Sequence, residues 1–273
     1  MRRHHLTLPL AYASGPLPLP HFVAERGYGC ALASVTGAGI PHGGRAPYIS
    51  GMTNDDDPLS AVRPKFVESK KQWARDGRLL TGTTAEPTVR LPPGQREVKN
   101  WPVLDLGVQP TLPAAQWKLT VDGMVENPIV WSWADFNAQP QARRVSDIHC
   151  VTAWSRFDNT WDGVSTQHLL DIVKPKPQAK FVVQHSYDGY TTNVPIEHFA
   201  AEATLLAARW EGQPISNEHG GPVRLILPRL YLWKSAKWLQ RLEFINRDRP
   251  GYWEERGYHN LGDPWLEQRY SQS

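Results

Sequence analysis

The sequence predicts one mixed α+β domain, rich in strand, with short helices and many loops. Three observations carry this. Glycine and proline number 21 and 24 among 273 residues, which breaks the chain into short elements. A hydrophobic content of 40% with 12 tryptophans supplies a core for a chain long enough to fold as one large domain or two small ones. Short apolar runs of strand type alternate irregularly with short helical ones, without the rhythm of a doubly wound sheet and without an internal repeat.

Between Asp55 and Asn100 the chain is polar and turn-rich. There KFVESKKQWARDG predicts a short helix stopped by Gly77, and RLPPGQRE at 90–97 a loop. In WKLTVDGMV the residues Trp117, Leu119 and Val121 alternate inward with the period of a half-buried strand, and Asp122-Gly123 ends it in a turn. Ser132 caps one or two helical turns in SWADFNAQ, and Ser165 caps a helix over TQHLLDIV. KFVVQHSYDGY, at 180–190, is a strand running into a turn. Pro195 opens the strongest helical stretch, IEHFAAEATLLAARW, because proline costs nothing at a helix start. PVRLILP at 222–228 and RLEFIN at 241–246 are buried strands, and GYHNLGDPW at 257–265 is a structured tail that closes the domain.

The formal charge of +3 sits almost wholly in residues 1–51, where Arg2, Arg3, Arg26 and Arg45 face Glu25 alone. The remainder is neutral, which argues against a nucleic-acid partner, since such a domain carries a basic excess. That first segment is expected to be a leader of uncertain order, or to precede a translation start at Met52. An export signal after Arg2-Arg3 is the alternative, weakened by Pro9 within its short apolar stretch. Residues 52–100 then form an N-terminal extension packing on a domain at 101–273. No stretch approaches the ~20 apolar residues of a membrane span. Two cysteines, Cys30 and Cys150, cannot build a disulfide framework, so a cytoplasmic protein is expected.

Cys150 lies in DIHCVTAWSRFDNTWDGVS among polar and aromatic neighbours, an unusual setting for a packing cysteine. Four readings stay open. It is a small buried hydrophobe; a zinc ligand, short of partners because His149 would point to the opposite strand face; a nucleophile with His168, His185, His198 or His219 as base; or a thiolate ligand to a metal whose other ligands come from an organic cofactor.

A second stretch, HGGPVRLILPRLYLWKSAKW at 219–238, has the parts of an anion site. Gly220-Gly221 permits close approach to the backbone, Arg224 offers a planar fork, and Lys234 and Lys237 add point charges. Between Pro222 and Arg249 seven basic residues face Glu243 and Asp248. A solvated basic face is the competing reading. Neither the phosphate loop of nucleotide hydrolases nor a convincing G-x-G-x-x-G is present. Trp154, Trp161, Trp233 and Trp238 are expected mainly as packing.

Together, HCVTAWSRFDNTWDGVS, HGGPVRLILPRLYLWKSAKWLQRLEF and PGYWEERGYHNLGDPW resemble the molybdopterin-binding domain of the sulfite oxidase family, in its short single-domain bacterial form. The resemblance runs from about Trp101 to Tyr270. It implies that family's β-rich α+β fold and a molybdenum–molybdopterin cofactor, with Cys150 as metal ligand. His219, Arg224, Ser235, Ala236 and Lys237 would hold the pterin and its phosphate, and Ser186, Leu104 and Asp105 fall near further cofactor contacts. The implied activity is oxygen-atom transfer at a small sulfur- or nitrogen-containing substrate, with Arg156 attracting an anionic one. Electrons would pass to or from a separate partner, and no haem is expected. A pterin-binding module without turnover, or a Cys-His hydrolase, are the alternatives.

Overall fold

The structure is a computed structural model that describes residues 64–75 and 88–271. The expected leader at 1–51 and the helix stop at Gly77 lie outside the described residues. The N-terminal segment supplies α1 (Pro64–Arg75), where the sequence places a short helix.

Two sheets form the body. The first is built around a long hairpin of β4 (Gln141–Cys150) and β5 (Trp154–Ser165). Along its other edge β5 carries the short parallel strand β1 (Arg96–Glu97) at its start and β8 (Leu205–Trp210) at its end. β9 (Gln213–Pro214) and β10 (Arg224–Ile226) complete that sheet on β8. The second sheet has the order β3-β2-β11-β6-β7: Ile129–Ser132, Lys118–Gly123, Leu239–Ile245, Phe181–Ser186 and Thr191–Pro195. Only the pair of β2 with β11 is parallel there. Both sheets feed one hydrophobic cluster, in which Trp117, Phe136, Trp161, Phe199 and Phe244 are wholly buried.

Local chemistry explains the short helices. Ser132 and Asp135 exchange bonds as a capping box at the head of α2 (Trp133–Ala138), and the Ser165 hydroxyl accepts from His168 N at the head of α3 (Thr166–Val173). In β2 the inward alternation is as read, with Trp117 before it and Leu119 and Val121 within it at 0% exposure. PVRLILP and RLEFIN hold β10 and β11.

The helix expected over 196–210 is not formed as such. α4 covers Ile196–Phe199 alone, and the rest of the apolar run becomes β8. Leu205, Leu206, Ala207 and Ala208 are all buried, because β8 is flanked by β5 on one edge and by β9 and β10 on the other. A continuous apolar run carries no period to separate helix from strand, and the ladder outweighs the helix propensity of alanine and leucine. The β4–β5 hairpin itself has charged and aromatic residues at irregular spacing and gave no strand signal.

The end of the second sheet is tied to the C-terminal segment by a buried ion pair. Lys234 Nζ donates to Glu254 Oε1 at 2.7 Å, to Asn193 Oδ1 at 2.8 Å and to the Asn260 carbonyl at 2.9 Å. Thr192 Oγ1 and Trp233 Nε1 also donate to Glu254. Removing one partner leaves a buried charge unmatched. Glu254→Ala is therefore expected to cost about 3–5 kcal/mol of unfolding free energy, read from the urea midpoint, and Lys234→Met with Glu254→Gln to recover most of that loss.

Candidate active site

Cys150 is placed by the hairpin. The β4–β5 register slips between Ser146 and Ile148, so Asp147 is a bulge. Its carboxylate takes two bonds from Arg90 and one from Asp158 N. Beyond the bulge Ile148, His149 and Cys150 are all buried. The turn after Cys150 is closed by Ala153 N donating to the Cys150 carbonyl at 3.1 Å, with Ala153 at φ 67°. It is clamped from outside by Gln95 Nε2 on that same carbonyl and by Arg269 on the Val151 carbonyl. His149 faces elsewhere, bonded to Ser155 Oγ at 2.8 Å and edge-on to Trp265.

Cys150 and Thr152 line a cavity of about 130 Å³. The Cys150 sulfur lies 3.2 Å from Thr152 Oγ1, its one hydrogen-bond partner among the described residues. Burial pushes its thiol pKa up, against the opposing influence of Thr152 and of the Arg269 and Lys70 charges. Among the described residues, no histidine bonds the sulfur. His168 is held by Gln139 and His185 by Glu243. Of the four candidate bases only His219 lines the cavity, and its ring is engaged by the Trp101 carbonyl and Ser216 Oγ. A carbonyl only accepts, so Nε2 donates to it and Nδ1 accepts from the serine, in a neutral ring that burial favours. The described residues contain no group of three or more metal-ligating side chains. The cysteine–histidine pair and the zinc site are therefore not formed among them.

The cavity's other wall is cationic. Arg224, 2% exposed, donates to the carbonyls of His219 at 2.6 Å and Ser235 at 3.1 Å and faces the Trp101 ring. Lys237 Nζ donates to the Leu104 carbonyl at 3.2 Å, and Lys70 Nζ to that of Asp105. None of the three forms an ion pair with a carboxylate among the described residues. Burial drives Arg224 down to about 9. It takes Lys237 down to about 7, with the Arg224 charge adding to it. Two carboxylates share the cavity. Burial lifts Asp188 to about 6; it would also raise Asp105, but bonds from Gln109 and Gly107 N outweigh that and hold it low.

Two donors complete the case for a bound anion. Ser186 Oγ and Trp154 Nε1 are buried with no hydrogen-bond partner among the described residues, and both residues line the cavity. Buried polar groups are rarely left so. A sulfur able to ligate a metal, three cations without ion-paired carboxylates and two orphaned donors form a donor set that fits a metal–pterin group ending in a phosphate.

Leu104, Asp105, Cys150, Ser186, His219, Arg224, Ser235 and Lys237 line one cavity. Three expectations need correction. Arg156 is not at the cavity; its guanidinium binds the Lys99 carbonyl, Asn159 and Glu211, and lies over Trp210. Ala236 does not line it either, because its N–H donates to Gln184 Oε1 at 2.9 Å. Lys234 belongs to the ion pair with Glu254. The glycines also serve differently. A side chain on Gly220 (φ 100°) would meet Lys237 Cβ at 2.6 Å, and one on Gly221 the Ile215 carbonyl at 2.1 Å, so they admit protein rather than ligand. Trp161 is pure core, whereas Trp154, Trp233 and Trp238 also line the cavity.

The sequence reading missed Trp101, Lys70, Asp188 and Tyr190. The last two flank Gly189 in the β6–β7 turn, and a polar turn after a buried strand was the available signal. Lys70 offered none.

Lys237 makes a testable case. Its ammonium is disfavoured in the fold, so below about pH 7 it is charged in folded and unfolded chains alike and its burial destabilises in full. Between about 7 and the ordinary lysine value of 10.5 the unfolded chain binds the extra proton, so stability rises with pH. In protein stripped of bound anions, Lys237→Met is expected to abolish a rise in melting temperature between pH 7 and 9, measured by calorimetry.

Comparison with known proteins agrees with this donor set. The family described as oxidoreductase molybdopterin binding domain matches residues 106–253. The oxidoreductase YuiH of Bacillus subtilis is 43% identical over 183 residues, 67% of this chain and 92% of its own. The protein-methionine-sulfoxide reductase catalytic subunit MsrP of Burkholderia mallei is 29% identical over 185 residues, 60% of this chain, and only 56% of its length is covered. Among solved structures, the sulfane dehydrogenase SoxCD of Paracoccus pantotrophus aligns with TM-score 0.47 at 21% identity, over 51% of this chain and 41% of that one. The chain belongs to the molybdopterin-binding oxidoreductases of the sulfite oxidase type.

Proposed function

We propose that the chain transfers an oxygen atom to or from a small sulfur- or nitrogen-containing substrate and exchanges electrons with a separate redox partner. The observation that carries this reading is the meeting of the Cys150 sulfur with unpaired buried cations and orphaned donors in one cavity. When bound, the molybdenum–pterin group supplies two-electron oxygen exchange.

The chain's own residues do the rest. Cys150 would hold the metal, on a turn that Gln95 and Arg269 keep from shifting. Arg224 and Lys237 would hold the phosphate, each fixed by backbone carbonyls, so that little reorganisation accompanies binding. Ser186 and Trp154 would give the group its remaining bonds. Trp101, Trp233, Trp253 and Tyr258 wall the cavity and keep water from the reacting atoms. The name of MsrP makes sulfoxides the first substrates to try in the reductive direction.

Protein made in a host with intact pterin synthesis is expected to carry stoichiometric molybdenum and to oxidise or reduce an artificial dye only with substrate present. Cys150→Ser is expected to keep the circular dichroism spectrum, alter the Mo(V) paramagnetic signal and abolish turnover. Arg224→Ala is expected to lose molybdenum, because the forfeited charge-assisted bonds are worth about 1.5–3 kcal/mol each. Metal-free protein acylated at Cys150 would overturn the reading in favour of a hydrolase. Loaded protein with no turnover would leave a binding module.

A further inference from the structure

With Arg156 tied to Asn159 and Glu211, an anionic substrate needs another cation, and α1 brings one. Lys70 lines the same cavity as Cys150, although it lies outside the 106–253 stretch that matches the family. We propose that Lys70 is a specificity-determining residue whose ammonium recognises the negative charge of a small substrate, an oxyanion or a carboxylate-bearing sulfoxide. This deepens the oxygen-transfer reading above and rests on it.

Three observations support the assignment. The first is position. Lys237 and Lys70 take consecutive carbonyls of one segment, Leu104 and Asp105, but Lys237 stands beside Arg224, whereas α1 docks through Lys71 on Tyr270, whose neighbour Arg269 clamps the Val151 carbonyl next to Cys150. The Lys70 charge acts on that sulfur as well as on Asp105 and Lys237. The other cation acting on that sulfur, Arg269, is spent on the Val151 carbonyl. Lys70 is therefore the cavity's cation at the reacting end, while Arg224 and Lys237 form the phosphate end.

The second is anchoring. Tyr258 Oη donates to the Lys70 carbonyl at 3.4 Å, and Tyr270 Oη donates to that of Lys71. Tyr258 packs in turn on Trp233 at 5.2 Å and on Trp253 at 4.8 Å, all three lining the cavity. The helix is thus docked on the aromatic wall, and its lysine is presented by backbone contacts that do not use the ammonium. The third is availability. The Asp105 carboxylate acts on Lys70 but no described carboxylate ion-pairs with it, and its bond to a carbonyl leaves ammonium donors for an anion.

The test uses molybdenum-loaded full-length protein with sulfate as the probe. Binding is followed by calorimetry and by tryptophan fluorescence, since Trp101 and Trp233 line the cavity. Lys70→Met is expected to weaken sulfate by about tenfold or more, and Lys70→Arg to restore it, as for loss and return of one charge-assisted contact. In turnover, the kcat/KM ratio of a carboxylate-bearing sulfoxide to its neutral methyl ester is expected to fall by a similar factor in Lys70→Met, through KM more than kcat. Unchanged sulfate affinity in loaded Lys70→Met overturns the proposal. So does loss of molybdenum from that variant, which would assign Lys70 to the cofactor. Wild-type protein that loads molybdenum but transfers no oxygen would sink the broader reading instead, whatever the sulfate comparison shows.

Discussion

Positive charge buried without a matching carboxylate is the constraint around which this protein is arranged. Taking an ammonium or guanidinium out of water costs several kcal/mol after relaxation. The chain meets that cost in two ways, three residues apart. Lys234 is wholly buried but has Glu254, Asn193 and the Asn260 carbonyl, so its charge is answered inside the fold. Lys237 and Arg224 bond to backbone carbonyls and face the Trp238 and Trp101 rings, with Asp105 and Asp188 acting on Lys237 but not ion-paired with it. Burial pulls both cations below their ordinary values. Carbonyl dipoles fix their direction without cancelling their charge. On the proposed reading, an arriving anion would recover the energy that folding leaves unrecovered.

The sheets make this arrangement rigid. Arg224 begins β10, Ser186 ends β6 and Cys150 ends β4, so the cavity gathers strand ends from both sheets. Trp101 braces the cationic wall. Its carbonyl accepts from His219, and its ring lies 4.0 Å from that histidine and 5.2 Å from the Arg224 guanidinium. His219 therefore shapes the site through its carbonyl, which holds Arg224, and through its ring, which holds Trp101. Cys150 and Arg224 sit at the ends of separate strands of the first sheet, and such a brace helps to keep their spacing.

Residue type and local pattern made the site's chemistry legible, whereas distant pairings stayed hidden. Cys150 stood out because polar and aromatic neighbours are poor company for a packing cysteine, and its turn does face a cavity. Arg224 and Lys237 were legible as cations next to glycine and proline. Which of the seven basic residues at 222–249 would stay unpaired was not, because that depends on partners far away in sequence. Arg241 finds Asp122 and Glu243, Arg249 finds Glu243, and Lys234 finds Glu254. Arg156 failed for the same reason: six residues beyond Cys150 in sequence is two ladder positions from it in space, at Ile148, where Glu211 and Trp210 claim it. The run at 205–210 was misread because its four apolar residues carry no period.

The shared family region also explains where individuality resides. Residues 106–253 hold the Cys150 sulfur, Arg224, Lys237, and the Ser186 and Trp154 donors. Lys70, Trp101, Leu104, Asp105 and Tyr258 line the same cavity from outside that region. Their contacts run largely among themselves and to backbone carbonyls: Lys70 to Asp105, Tyr258 to Lys70, and Lys237 to Leu104. Of these, Trp101 and the Leu104 carbonyl help to fix Arg224 and Lys237, whereas Lys70 and Tyr258 hydrogen-bond to neither cation. On the proposed reading, a cavity built in this way would separate holding the reactive group from choosing what reaches it.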